Sequence, residues 1–464
     1  MALILAAGGV AARKERGVDE IRLSELLGAL SHALDVTEGQ PPGHCIRCCH
    51  VGMAVGRELG LADAALSDLY YVLLLKDLGC SSNAARICEL YLTDDLTFKA
   101  DFKRIDGSLS QALRFVLSHT GLGAGLSERF RAILNIFRNG GEIARELIET
   151  RCHRGAEIAA RMRFGPAVCE GIRCLDEHFD GSGKPEGRSG GAVPVLSQIA
   201  LLAQVADVFH TAADAGAARR EIAARAGGWF DPAVVAAFEA ACTAPGFFEA
   251  LGAPDLERRI LSLEPAQVVR FVDEDHLDDI AAAFAVVIDS KSPYTSNHSE
   301  RVTLFADMIA EELGLTAARR RWLRRAALLH DIGKLGVSNT VLDKPGRLDE
   351  AEWAAVRAHA ALSRAILQRI PAFAELAEVA GAHHERLDGK GYPDGIAGEA
   401  ISLETRIVTT ADIFDALTAE RPYRAAMPVS RAFAVMDDMA GTAIDPACYA
   451  ALRRAIGRLD AAAA

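Results

Sequence analysis

The carboxy-terminal half of the sequence contains histidine and aspartate residues of the types that coordinate metals. They are His298, His330, Asp331, His359, His383, His384 and Asp412. Neighbouring residues on a regular helix point about 100° apart, so the adjacent pairs at 330–331 and 383–384 converge only near a helix end or around a shared centre. Glycine-containing segments follow both pairs. We therefore predict that both pairs lie at helix C-termini.

Imidazoles and carboxylates without thiolates suit iron, manganese or another first-row divalent ion better than a structural zinc site. Seven ligands exceed the needs of one ion, whereas two ions bridged by Asp331 would use them all. Such a pair lowers the pKa of a bridging water and neutralises a phosphate diester. Lys334, Arg386 and Arg424 would add positive charge. The alternative is a metal-free buried polar network, which is costly to neutralise in a core.

A weakened copy of this pattern occurs near the N-terminus. Residues 74–79 (LLKDLG) align with 328–333 (LLHDIG) at an offset of 254, and the flanking segments keep that offset. After an insertion at about 81–150, the best match places His153 on His359, residues 177–187 on 383–395, and Asp207 on Asp412. The sequence predicts a flexible tail at 1–20, a degenerate copy at 21–245, a connector at 246–275 and an intact copy at 276–464.

The degenerate copy keeps some of these ligand types and loses others. Its predicted site comprises His44, Lys76, Asp77, His153, Glu177, His178 and Asp207. Lys76 replaces the first imidazole of the pair, and its ammonium beside Asp77 would supply part of the charge that a metal gives. Cys80 replaces Lys334, and the 177–187 loop is the shorter of the two. We predict that this half is inactive, although its remaining imidazoles and carboxylates could hold one ion.

Composition and periodicity predict an all-α protein with more than one domain. The chain has 464 residues, half of them hydrophobic, and apolar residues recur three and four positions apart. One helix is predicted from about Leu277 to Ile288, and another from about Trp322 to Gly333. The pairs at 231–232 and 445–446 are both Asp-Pro, which predicts an N-cap followed by proline at the first helical position.

Charge and cysteine usage limit the partners and the compartment. The net charge is −12, which argues against broad adhesion to nucleic acid or to anionic membrane. The ten cysteines are scattered, and the apolar residues 1–10 are too short to span a bilayer. We predict a cytoplasmic protein that binds neither a nucleic-acid polymer nor a membrane.

Several signatures in the second half resemble one known family. The segments HDIGK (330–334), HHERLDGKGYPDG (383–395), NHSERV (297–302) and RPYR (421–424) are similar to those of the HD-GYP phosphodiesterases, a helical subgroup of the HD metallophosphohydrolases. The resemblance is strong over about 276–464 and weak over 40–245. It implies two tandem HD-type helical bundles, the second an HD-GYP domain.

The resemblance also implies roles for individual residues. One metal would be held by His298, His330, Asp331 and Asp412, and the other by Asp331, His359, His383 and His384. Asp331 and Lys334 would be catalytic, with Lys334 on the scissile phosphate. Substrate contacts are predicted at Arg301, Arg386, Gly391, Tyr392, Pro393 and Arg424. Some family members bind a third metal through a glutamate where this chain has Tyr294, which favours two ions here.

The family's usual substrate is cyclic di-GMP, and its hydrolysis to linear pGpG or GMP is the main functional prediction. Tandem relatives that cleave cyclic GMP-AMP provide an alternative, and a non-catalytic dinucleotide-binding scaffold provides another. Hydrolysis of mononucleotides, as in other HD proteins, is disfavoured by the GYP loop. The first copy is predicted to regulate, to dimerise, to sense a ligand or to bind a signalling partner, and the alternative is that it serves only as a scaffold.

Overall fold

The protein is described by a computed structural model that covers residues 21–105, 108–265 and 269–463. These residues form α-helices and short 3-10 helices without a β-strand, which confirms the predicted all-α fold. The predicted flexible tail, residues 1–20, lies outside the described residues.

Within the described residues, twelve α-helices precede the second copy. They are α1 (Leu23–Thr37), α2 (His44–Glu58), α3 (Asp63–Leu75), α4 (Ala84–Tyr91), α5 (Asp95–Phe102), α6 (Leu109–His119), α7 (Leu126–Arg161), α8 (Pro166–Arg173), α9 (Val195–Ala212), α10 (Ala215–Ala224), α11 (Pro232–Ala241) and α12 (Leu256–Leu261). The insertion predicted at 81–150 contributes α4, α5, α6 and most of α7. The predicted connector contains α12, whose Leu256 and Ile260 are buried.

The described part of the second copy, which ends at residue 463, forms nine α-helices. They are α13 (Glu274–Asp289), α14 (His298–Glu312), α15 (Ala317–Leu329), α16 (Asn339–Leu342), α17 (Glu350–Leu367), α18 (Ala374–Ala382), α19 (Leu403–Thr418), α20 (Val429–Asp437) and α21 (Pro446–Ala463). As predicted, Asp231 and Asp445 each cap a helix with proline at its first position, through hydrogen bonds to Ala233 N and Ala447 N.

The helix predicted to end at Gly333 ends earlier, at Leu329, and also begins earlier because Thr316 caps it. A 3-10 helix, Ile332–Gly336, follows. A Cβ on Gly333 would lie 2.0 Å from the carbonyl oxygen of His359, so only glycine allows α17 to approach this closely. The His330-Asp331 pair consequently lies in the turn between two helices, where both side chains can point to one place.

The two copies share one continuous hydrophobic core. Buried side chains of α1, α2, α9, α13, α14, α15 and α19 all belong to it. Helix α1 packs against α17 and against the 3-10 helix that follows Asp331, and α13 packs against α7. The first copy therefore directly contacts the segment that carries the candidate site. The domain boundaries at 245 and 275 stay predictions.

A buried ion cluster joins the insertion to the second copy. Asp95, the first residue of α5, accepts a hydrogen bond from Asn339 N at 2.9 Å. Its carboxylate also lies 3.1 Å from the Lys291 ammonium and 3.3 Å from that of Lys99. Asp95 and Lys291 are both almost fully buried, at 0 and 1% side-chain exposure. Because Lys291 precedes His298 closely in sequence, this cluster fixes the chain that leads into the candidate site.

We expect Asp95→Ala to lower the free energy of unfolding by about 3–5 kcal/mol, because it leaves two buried ammonium groups without their carboxylate. Urea denaturation of the full chain measures this loss. The control is Glu89→Ala, which removes an exposed carboxylate 2.8 Å from Arg86 and should cost at most about 1 kcal/mol. Equal losses in the two variants would contradict a structural role for the cluster.

One described helix, α9, is long and apolar enough to cross a membrane by length and composition alone. However, 72% of it is buried inside the protein. Packing of α9 against α2 within the shared core explains its apolar character.

Candidate active site

Five separate helices bring the predicted metal ligands together. His298 is the first residue of α14, His359 lies on α17 and Asp412 on α19. The two adjacent pairs follow directly on α15 and α18, since His330 and His383 occupy the C-cap positions of those helices. This is the placement that the glycine-rich segments after each pair predicted.

Asp331 is at the centre of the cluster. Its Oδ2 lies 3.2 Å from His298 Nε2 and 3.3 Å from His330 Nε2. Its Oδ1 lies 3.3 Å from His359 Nε2 and 3.6 Å from His383 Nε2. One carboxylate thus faces two different groups of imidazoles with its two oxygens.

The remaining two ligands extend these groups. Asp412 Oδ1 lies 3.5 Å from His298 Nε2, and His384 has ligand atoms within 4.8 Å of those of His359 and His383. The structure therefore gathers all seven predicted ligands into two adjoining sets that share Asp331.

Backbone carbonyls orient three of the imidazoles. The Nδ1 atoms of His330 and His383 lie 2.7 and 2.6 Å from the carbonyl oxygens of Ala327 and Ala380, and His359 Nδ1 makes the same contact with Val356. With Nδ1 as the donor, each Nε2 keeps a lone pair directed at Asp331. These imidazoles are held in the tautomer that binds a metal.

The electrostatics of the cluster favour ionised carboxylates and a neutral His383 and His384. His298 differs, because although burial lowers its pKa, the hydrogen bonds to Asp331 and Asp415 raise it to about 9. Burial lowers the pKa of His383 to about 4, and that of His384 well below its usual range. Burial opposes ionisation of Asp331, but the nearby His330 and Lys334 hold its pKa well below its usual range. Neutral imidazoles and ionised carboxylates are the states that coordinate metals, so an ion bound by His298 would displace a proton from it.

The residues fit the metal pair that the sequence predicts. His330 Nε2 and Asp331 Oδ1 are buried and make no hydrogen bond to any described residue. A buried polar atom without a partner costs about 1–3 kcal/mol, and a ligand removes this penalty. The sets His298-His330-Asp412 and His359-His383-His384 each offer three donor atoms within 4.8 Å of one another. With Asp331 between them, they would hold one divalent ion each.

Asp415 is a positioning residue that was not predicted from the sequence. Its Oδ2 lies 2.7 Å from His298 Nδ1, and its carboxylate accepts two hydrogen bonds from Arg301. Arg301 was predicted to contact substrate, whereas the structure pairs its guanidinium with Asp415 and with the carbonyl oxygen of Ser296. The available signal was spacing, because Asp415 follows Asp412 by three residues and therefore shares its helix face.

Glu385 organises the loop that carries Gly391, Tyr392 and Pro393. Its buried carboxylate accepts hydrogen bonds from the backbone N–H groups of Asp394 at 2.7 Å and Gly395 at 3.0 Å. A Cβ on Gly391 would lie 2.5 Å from Glu385 Cα, so the loop needs glycine there. The Tyr392 ring then lies 4.8 Å from the His384 ring. This places the predicted substrate loop against the metal-ligand segment.

Two other residues predicted to contact substrate instead make hydrogen bonds within the protein. Arg386 donates two hydrogen bonds to Asp388, at 2.9 and 2.7 Å, and Arg424 donates to the carbonyl oxygen of Ala416. An exposed cation that sequence reasoning missed, Arg357, lies 5.7 Å from the centre of the Tyr392 ring. Arg357 precedes the predicted metal ligand His359 by two residues on α17. This spacing was the sequence signal that could have identified it.

After the insertion, the degenerate copy aligns with the second copy at a residue offset different from the predicted one. A Cβ on Gly79 would lie 1.9 Å from the carbonyl oxygen of Arg151, just as one on Gly333 would lie 2.0 Å from that of His359. Arg151 therefore occupies the position of His359, an offset of 208 residues. His153 lies at the surface beside Glu149, so the prediction that it belongs to the degenerate site was wrong.

The loop after α8 keeps the same offset of 208. Glu177 accepts hydrogen bonds from the backbone N–H groups of residues 186, 187 and 188, and so matches Glu385 rather than a ligand histidine. His178 stacks on the Trp229 ring at 4.2 Å and matches Arg386. The two loops have equal length, and the predicted shortening was wrong.

Asp207 matches the positioning carboxylate rather than the metal ligand. It lies 2.7 Å from His44 Nδ1 and pairs with Arg47, as Asp415 does with His298 and Arg301. Gln204 then occupies the position of Asp412. The predicted match of Asp207 to Asp412 was wrong by three residues, nearly one helical turn.

Cationic side chains occupy the degenerate site. Lys76 pairs with Asp77 in the interior, as the sequence predicts, and Lys103 of the insertion lies 2.6 Å from Glu38 and 3.4 Å from Asp77. Burial opposes the charged form of Lys76, but Asp77 raises its pKa well above the usual range. Two ammonium groups already neutralise these carboxylates, which disfavours a divalent ion there.

A helical bundle that concentrates histidines and aspartates around one carboxylate defines a metal-dependent phosphohydrolase of the HD class. Residues 283–448 match the family model described as HD domain. The chain is 55% identical to the 3'3'-cGAMP-specific phosphodiesterase 3 of Vibrio cholerae, over 94% of this chain and 95% of that protein. The chain belongs to the HD-GYP family of phosphodiesterases, as predicted.

Two further comparisons bear on the fold and the substrate. The crystal structure of a cyclic GMP-AMP specific phosphodiesterase of V. cholerae superposes with a TM-score of 0.65 and 50% identity, covering 94% of this chain and 98% of that one. A cyclic di-GMP phosphodiesterase response regulator of Xanthomonas campestris is 38% identical over 44% of this chain and 55% of its own length. The similarity to the V. cholerae crystal structure thus extends through both copies and the insertion, whereas the similarity to the X. campestris protein covers less than half of the chain.

Proposed function

We propose that this protein hydrolyses a cyclic dinucleotide, and that its preferred substrate is 3'3'-cyclic GMP-AMP. The observation that carries the choice is the 55% identity over 94% of the chain to a phosphodiesterase named for that substrate. The relative named for cyclic di-GMP aligns over 44% of the chain. The alternative substrate of the sequence analysis is therefore better supported than its main prediction.

The residues of the cluster would have two roles, which are to bind the metal ions and to orient the residues that bind them. Seven ligands would hold two divalent ions, for which iron and manganese best suit the imidazole and carboxylate donors. When bound, such a pair supplies Lewis acidity at the phosphodiester and lowers the pKa of a water molecule. Asp415 and the backbone carbonyls hold the imidazoles in their ligating orientation.

Three side chains around this cluster would bind the dinucleotide. Lys334 donates to Asp331 from the rim of the cluster and would contact the scissile phosphate. Arg357 is exposed above Tyr392, where its guanidinium can reach another phosphate. The Tyr392 ring would lie against a base or ribose and exclude water from one side of the site.

Substrate choice is tested by comparing kcat/KM for cyclic GMP-AMP, cyclic di-GMP and cyclic di-AMP, with anaerobically prepared protein supplied with iron or manganese. We expect cyclic GMP-AMP to exceed the other two by about tenfold or more, a difference of about 1.4 kcal/mol in transition-state binding. A preference for cyclic di-GMP would overturn the assignment, and its products would show whether cleavage stops at the linear dinucleotide.

The non-catalytic scaffold is the second candidate function. It predicts dinucleotide binding without product in metal-replete protein, and the complete ligand set argues against it. Cytoplasmic location, the absence of membrane and nucleic-acid partners, and dimerisation through the first copy stay predictions.

A further inference from the structure

The insertion exposes a concentrated set of apolar side chains. Of the sixteen large apolar side chains that are exposed among the described residues, seven lie between residues 102 and 137. Helix α7 carries the most exposed of them, Leu126, at 86%, together with Phe130 at 67% and Phe137 at 50%. Exposed apolar patches of this kind mark surfaces that bind another macromolecule.

These three residues, the apolar row, lie on one face of α7. They recur four and seven positions apart, which keeps them within about 40° of one another around the helix axis. The adjacent face is buried, because Ile136 and Ile143 pack into the hydrophobic core of the insertion. Helix α7 therefore uses one face inside the protein and leaves a second, apolar face open to solvent.

Two glycines follow the apolar row within the same helix. Gly140 and Gly141 are interior positions of α7, where glycine destabilises a helix relative to alanine. A Cβ on Gly141 would meet no atom within 4 Å, and one on Gly140 would meet only the Ile136 side chain, at 4.0 Å. Packing within the chain therefore requires neither glycine. They leave a space on α7 that a large side chain of another molecule can fill.

The charge of α7 changes sign along the same stretch. Residues 126–138 carry three arginines and one glutamate, whereas residues 139–150 carry three glutamates and one arginine. An antiparallel pair of α7 helices sets the basic part of each helix against the acidic part of the other, and the bulky residues against the glycines. The glutamates would repel an anionic membrane, so a second copy of this chain fits the surface better.

We propose that two copies of this chain associate through their α7 helices, which lie antiparallel across a two-fold axis. Phe130 of each copy fills the space above Gly140 and Gly141 of the partner subunit, and Arg131 lies beside Glu142 of the partner subunit. The same patch is used on both chains, so each contact occurs twice and the assembly closes as a dimer. The insertion thereby provides the dimer interface of the first copy.

Sedimentation equilibrium of the full chain at micromolar concentration tests this pairing. We expect a monomer–dimer equilibrium whose dissociation constant rises about a hundredfold in Phe130→Asp, which places a carboxylate in the apolar contact. Gly141→Leu should weaken the dimer about as much, although leucine is the better helix former and meets open space within the chain. The matched control is Phe271→Asp, which changes another exposed phenylalanine and should leave the equilibrium unchanged.

Exchanging charges tests the antiparallel direction. Arg131→Glu and Glu142→Arg should each weaken the dimer about tenfold, because like charges then meet across the axis, and the double variant should recover the wild-type dissociation constant. The proposal is overturned if the wild-type chain stays monomeric at about 100 μM, if Gly141→Leu leaves the dimer intact, or if the double variant dimerises no better than the single ones. Binding of the wild-type chain to anionic phospholipid vesicles that is lost in Phe130→Asp would assign the face to a membrane and overturn it too.

Discussion

Asp331→Ala is expected to lower kcat/KM for the preferred cyclic dinucleotide by at least about a thousandfold. This carboxylate contacts four imidazoles and is the only one of the seven ligands placed between both sets. Its loss should release the ions, and with them several kcal/mol of transition-state charge stabilisation. Steady-state hydrolysis with iron or manganese present, together with the metal content of the purified variant, measures both effects.

The control for this variant is Asp437→Ala, which removes a half-exposed carboxylate paired with Arg453 on the surface. It should retain full activity and its metal. Circular dichroism should show unchanged helix content in both variants, so that lost activity reports on the site. An Asp331→Ala protein that still turns over substrate at the normal rate would refute the role given to this residue.

Lys334→Gln is expected to lower kcat/KM by about a hundredfold while the metal content stays unchanged. Lys334 contacts the cluster only through Asp331, and its side chain is 18% exposed, so its ammonium remains accessible to a phosphate. Removing a single positioned charge from a developing anion typically costs a factor of about 10²–10³. The same kinetic and elemental measurements separate this effect from metal loss.

The matched control is Lys344→Gln, which makes the same substitution at a lysine paired with Glu352 away from the cluster. It should leave kcat/KM unchanged. If Lys334→Gln instead loses its ions, Lys334 supports the metal cluster and the assigned phosphate contact is wrong.

The active copy could be predicted almost completely from local sequence. Each adjacent ligand pair sits at the end of a helix, and the glycine after it is required by close packing, as at Gly333 against His359. Local rules therefore fix both the residue types and the bend of the chain. The positioning role of Asp415 could not be predicted as readily, because it depends on how α19 faces α14.

The degenerate copy was aligned incorrectly for a physical reason. Matching identical residue types favoured His153 over Arg151, whereas the structure places Arg151 against Gly79. What the two copies preserve is backbone contact, namely Gly79 against Arg151 and Glu177 with the loop amides. A guanidinium in the place of an imidazole is therefore visible only when the helices are packed together.

The most direct test of this account is the metal content of the wild-type protein, purified without oxygen and analysed by elemental mass spectrometry. Seven residues in the second copy form two ligand sets that share Asp331. In the first copy, lysine side chains occupy the corresponding site. The account predicts two transition-metal ions per chain and none in the Asp331→Ala variant. Wild-type protein that retains no transition metal, or an Asp331→Ala variant that retains both ions, would contradict it.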